Sequence, residues 1–161
     1  MYSSRGTAFA WATMALLAIV VPRAGFGQTV SASATAVQSL SFGSMLPGTS
    51  EVVSVQDGWR RGEMQIGGSG QVSVRFVLPT ALTNSAGQSI PVVFGGSDGA
   101  YVTAKTSSPT YFDPNVGTKV NLTAGRGSAT VYLGGTAKPA ALQAAGSYSA
   151  TVMIVLSPPN M

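Results

Sequence analysis

Cysteine and histidine are both absent from the 161 residues. Without cysteine an exported chain gains no disulfide, so its stability rests on apolar packing and backbone pairing. Without histidine the commonest general base and metal ligand is missing, and a Ser-His-acid triad is excluded. Charge is also scarce, at 9% of the residues. The five carboxylates are Glu51, Asp57, Glu63, Asp98 and Asp113, all in strand-end or turn contexts. None makes the flanking pair that glycoside hydrolysis requires. A Ser-Lys pair would need Lys105, Lys119 or Lys138, and each stands in polar, Gly- or Pro-rich surroundings that do not lower an amine's pKa.

Two glycine-rich stretches look like ligand loops and are better read as turns. "GGSG" (67–70) is followed by no GK[ST] and no helical pattern, so it is not a phosphate cradle. "GGSDG" (95–99) offers one carboxylate, too few for a calcium loop, and suits a tight hairpin. The sequon "NLT" (121–123) is a pattern frequent by chance. No catalysis, no metal and no cofactor are expected.

A long apolar run is missing too. "AFAWATMALLAIVV" (Ala8 to Val21) is uncharged, but at fourteen residues it falls short of the ~20 a spanning helix needs. Arg5 precedes it, Pro22 ends it, and "RAGFGQ" comes next with small Gly25 and Gly27. A basic start, a short apolar centre and a small-residue exit read as a secretory signal peptide over 1–27, cleaved after Gly27. Cuts after Ala32 or Ala34 are the alternatives, and a buried core helix or an uncleaved anchor is the competing reading. The processed chain, 28–161, forms one domain with no membrane span. Losing Arg5 and Arg23 leaves seven basic and five acidic residues, a net charge near +2 instead of +4. Scattered cations form no basic stripe, so nucleic acid is not an expected partner. The adjacent Arg60 and Arg61 are read as solvated turn residues.

What the chain does have is short, alternating segments rich in Val, Thr and Ser, separated by Gly, Pro, Asn and Asp. Strands are expected over 28–42, around Val53 and Val55, and around Met64 and Ile66. Others cover Val72 to Leu78, Ile90 to Phe94, Val102 to Ala104, "KVNL" (119–122) and "GSATVYLGG" (127–135). Residues 105–118, with two prolines, are expected to be a long loop, and 136–145 a surface crossing. The last strand, "GSYSATVMIVLS" (146–157), puts Tyr148, Ala150, Val152, Ile154 and Leu156 on one face. Its other face turns apolar at Met153 and Val155, which then need cover from the crossing, from a sheet-end loop, or from a partner's strand. Eight or nine strands at this spacing predict an all-β fold, an antiparallel β-sandwich.

Phe42-Gly43 before Pro47-Gly48, the pair Gly134-Gly135, and Ala145-Gly146-x-Tyr148 before the final strand carry a resemblance. In order and spacing, most of 28–157 resembles the DUF4402 family of small exported bacterial proteins, which looks related to spore-coat-protein-U-like and fimbrial pilin domains. The resemblance implies an incomplete immunoglobulin-like sandwich. Its groove would be filled by a periplasmic chaperone of a chaperone–usher system, and then by the N-terminal extension of the next subunit. The candidate donor is Gln28 to Ala36, with small Val30, Ala32, Ala34 and Ala36 on one parity; the same segment also fits the domain's own first strand. The final strand supplies the candidate groove.

The resulting expectation is an exported structural or cell-surface protein of the periplasm, cell surface or medium. It is pilin-like and assembles with itself by strand exchange. The alternative is a monomeric adhesin-type module binding carbohydrate or protein, with Tyr111 and Phe112 of "PTYFDP" as loop contacts.

Overall fold

The computed structural model describes residues 10–20 and 32–158. They form twelve strands and, among the described residues, no helix. In chain order these are β1 (Ala10–Val20), β2 (Ala32–Gln38), β3 (Leu40–Met45), β4 (Glu51–Val53), β5 (Gly62–Val77) and β6 (Ala81–Thr83). The second six are β7 (Ser89–Val93), β8 (Gly99–Thr103), β9 (Thr106–Phe112), β10 (Thr118–Leu133), β11 (Gly135–Ala137) and β12 (Gly146–Ser157). The chain is thus all-β, as the alternation predicts. Among the described residues no helix is long and apolar enough to cross a membrane.

Three expectations change in detail. The segments on either side of "GGSG" are one sixteen-residue strand, β5, because Gly70 (φ 79°) absorbs an irregularity within the strand instead of reversing the chain. "KVNL" and "GSATVYLGG" likewise merge into β10, which pairs with β5 on both sides of a register shift between Leu122 and Gly127. Residues 105–118 are not a long loop: Thr106–Phe112 is β9, paired with β8. β9 ends the hydrogen-bonded path, and an edge strand tolerates the missing N–H of Pro109. The crossing over 136–145 contains only short β11, which pairs with β4 and β7.

The ladder runs β4-β11-β7-β6-β12-β5-β10-β8-β9, so β12 and β5 are central. Side chains from β3, β4, β7, β11 and β12 meet in one buried cluster, which requires the sheet to curl over its own face. A second cluster, built on β5, β10 and the end of β12, includes Met64, Ile66, Val72, Val131, Ile154 and Leu156. The β4 backbone comes very close at Gly134, next to the Gly135–Val53 pair of the β4–β11 ladder, and an added Cβ there would collide with the Val53 carbonyl oxygen.

Candidate functional site

β1 alternates in burial, although Thr13 is its one polar residue. Ala12 and Met14 are buried and Leu16 is half-buried, while Thr13, Ala15 and Leu17 face outward. Eleven residues of β1 pair in parallel with β12, from Ala10 opposite Gly146 to Val20 opposite Leu156. Every other ladder among the described residues is antiparallel. On its other side β1 pairs with β3, from Ala10 opposite Met45 to Met14 opposite Leu40.

Among the described residues β3 joins the sheet through β1 alone. Two strand spacings of about 4.8 Å therefore separate β3 from β12, and β1 fills the interval. Within this slot, sizes alternate across the parallel ladder. Small Ala12 lies opposite Tyr148, long Met14 opposite Ala150, and Leu16 opposite Val152. Leu16 packs against both buried clusters. A Cβ at Gly62 would touch the Leu16 Cδ1 at 3.5 Å, so the floor of the slot at that point is glycine. Among the described residues, the side chains buried here include no charged group.

The residues singled out from the sequence are distributed over several parts of the sheet. Tyr148, Val152, Ile154 and Leu156 are buried and Ala150 is half-buried, so this face of β12 is core and forms one wall of the slot. The Tyr148 hydroxyl donates to the Ala144 carbonyl at 2.8 Å and accepts from Gln143 Nε2 at 2.8 Å. On the opposite face Met153 is in register with Leu17 of β1 and Val77 of β5, and Val155 with Ile19 and Arg75. These partners flank the face within the sheet, and Met153 and Val155 stay half-buried. Ala32, Ala34 and Ala36 lie on β2, paired with this chain's own β5, with Ala34 opposite Ile66. Val30 falls outside the described residues, as do 1–9 and 21–27 of the expected signal peptide.

Tyr111 and Phe112 part company. Phe112 is no loop contact: it is buried and stacks on Phe76 with centroids 6.2 Å apart. Tyr111 stays exposed, and its hydroxyl accepts a 2.8 Å hydrogen bond from Gln56 Nε2. Gln56 belongs to the turn that carries Trp59, which is 92% exposed. Arg60 in that turn is ion-paired to both Glu51 and Asp57. The Asp57 carboxyl is held below the usual aspartate range, chiefly by its bond from Arg60, and Arg60 in turn is held above its ordinary value, first by Asp57 and then by Glu51.

Arg61 is not a solvated turn residue. Its guanidinium lies 3.6 Å from the centroid of the Tyr132 ring and bonds the Val55 carbonyl and Glu63. The remaining carboxylates organise turns: Asp98 accepts from the Gly95 N–H and Asp113 from the Asn115 N–H. Among the described residues no three metal-ligating side chains gather. A depression lined by Tyr101, Thr103, Lys105, Thr106, Thr110 and Asn121 is open and holds no buried polar group.

No family model matches the chain, and no curated protein matches it significantly.

Proposed function

We propose that this chain is an exported, non-catalytic structural protein of the cell surface. It would be a fimbria-like subunit whose immunoglobulin-like sandwich is one strand short after its leader is removed, with the gap filled by a strand from another polypeptide. One observation carries this reading: residues 10–20, which have the composition of a leader, supply the only ladder among the described residues that joins β3 to the sheet. Removing them leaves the Gly146–Leu156 edge of β12 unpaired beside a strand that has lost its partner. Such an edge is a template for strand addition. The occupant after processing is a second copy of this chain or a periplasmic chaperone. The resemblance of 28–157 to DUF4402 and pilin-like domains points the same way.

The test is the state of the processed protein isolated from its native cells, with its N-terminus determined. A product starting near Gln28 and found in oligomers, filaments or a heterocomplex supports the reading. A stable, compact, unaccompanied monomer starting there sinks it.

A second reading, a monomeric surface module for carbohydrate or protein ligands, draws on the turn that presents Trp59 beside the anchored Tyr111. Aromatic faces presented to solvent suit sugar stacking. A glycan-array signal that is lost in Trp59→Ala would favour it.

A further inference from the structure

We infer that residues 10–20 act as a tethered stopper of the β3–β12 slot, so that the unprocessed chain is closed to strand addition and cleavage opens it. The inference rests on the subunit reading above for the fate of the opened slot, but its own basis is the geometry of β1. The segment is seated over eleven residues of β12 and five of β3, a bilateral pairing. Its inward side chains match the slot by size, with Ala12 opposite Tyr148 and Met14, fully buried, filling the space left by Ala150. A shift of two residues in either direction would set Met14 against Tyr148 or Val152, both bulkier than Ala150. The slot therefore selects an uncharged extended segment with a small residue, a long unbranched residue and a leucine at alternate positions.

While residues 10–20 remain joined to Ala32, the strand competes for the slot at the effective concentration of an intramolecular ligand, of order millimolar for short connections. A free strand from a second copy at micromolar concentration cannot displace it. Cutting after Gly27 abolishes that advantage, and the strand becomes one dissociable competitor among others. Premature self-assembly of the unprocessed chain is thereby blocked by the same residues that mark it for export.

The experiment uses the full chain, made without processing in a cell-free system, with a site-specific protease site at the Gly27–Gln28 junction. The probe is a fluorescent synthetic peptide of residues 10–20 bearing a solubilising lysine tail. In the uncut chain, amides 146–156 should be protected from hydrogen exchange and the peptide should not bind. After cutting, the peptide should enter by exchange, at least tenfold more than before. Met14→Asp in the uncut chain should speed exchange of amides 146–156 by on the order of a hundredfold, because a carboxylate would be buried without a partner. It should also admit the wild-type peptide. Thr13→Asp, on the outward face of the same strand, should do neither. Amides of β5 and β10 report whether Met14→Asp remains otherwise folded; if they too lose protection, Met14→Ala supplies the graded version of the same loss.

Unprotected amides 146–156 in the uncut chain, or equal peptide uptake before and after cutting, would overturn the stopper. Its failure is distinguishable from failure of the subunit reading. Protected amides with a processed monomer in cells sink only the latter, whereas filaments with an unprotected slot in the uncut chain sink only the former.

Discussion

The Tyr148 hydroxyl donates to the carbonyl of Ala144, four residues upstream, at 2.8 Å. The ring is buried at the start of β12 while its hydroxyl ties down the chain that enters the strand. The bond also positions the residue that faces Ala12 across the slot. Tyr148→Phe keeps the ring and leaves the Ala144 carbonyl and Gln143 amide without this partner. The expected loss is about 1–2 kcal/mol in urea unfolding of the full chain. An unchanged midpoint would show that solvent replaces both bonds.

Gly134 gives a sharper steric test. An added Cβ would lie 2.4 Å from the Val53 carbonyl oxygen, a backbone atom held in the β4–β11 ladder. Gly134→Ala must therefore push β4 and β11 apart, at a cost of about 1–3 kcal/mol. Gly58→Ala, where nothing lies within 4 Å of the new methyl, is the matched control and should be close to neutral. Thermal unfolding of the two variants side by side checks this.

The two roles open to residues 28–36 make opposite predictions. On β2, Ala34 packs half-buried on the second cluster opposite Ile66, while Ser33 faces out. If β2 is a strand of its own domain, Ala34→Asp should destabilise the isolated chain by about 1–3 kcal/mol through burial of a charge. Ser33→Asp should stay within about 0.5 kcal/mol of the parent. A donor used only by a second copy would instead leave the isolated chain's unfolding midpoint unchanged in Ala34→Asp and impair assembly alone.

Much of this architecture is legible in the sequence, and the exceptions have physical reasons. Period-two alternation marks Val72, Val74 and Phe76 as strand, and the apolar parity of β12 marks Tyr148 through Leu156 as core. Glycine clusters mislead, because residues that punctuate chains also permit bends inside long strands, as at Gly70. Two prolines suggest a loop over 105–118, although an edge strand can carry Pro109 without losing a ladder bond it needs. Arg61 reads as surface because its aromatic partner, Tyr132, is remote in sequence. The slot is the least legible feature. A leader and a buried strand share one composition, and only the partner strand shows why Ala12, Met14 and Leu16 fall on the same parity.

The Glu51–Arg60–Asp57 arrangement predicts how the exposed turn responds to acid. The Asp57 carboxyl is held below its ordinary value of about 3.9 by Arg60, so the folded turn binds a proton less readily than the unfolded chain. The stabilisation is therefore fully present above the unfolded value, near pH 4, and is lost as pH falls through the depressed folded value. Asp57 also accepts from the Trp59 N–H at 3.1 Å, which makes the Trp59 indole a reporter of the turn. Below about pH 4 the Trp59 emission should shift in a full-length Trp11→Phe parent, which has no other tryptophan. In Asp57→Asn the turn has no carboxylate to titrate at this position, and the acid-dependent part of the shift should disappear. Asparagine still accepts the backbone bonds from Trp59 and Arg60, so the turn itself should survive the substitution at neutral pH. Raised salt should weaken the Arg60 pairs, because both partners are solvent-accessible and screened. A Trp59 response identical in parent and Asp57→Asn would place the titrating group elsewhere and remove Asp57 from control of the turn.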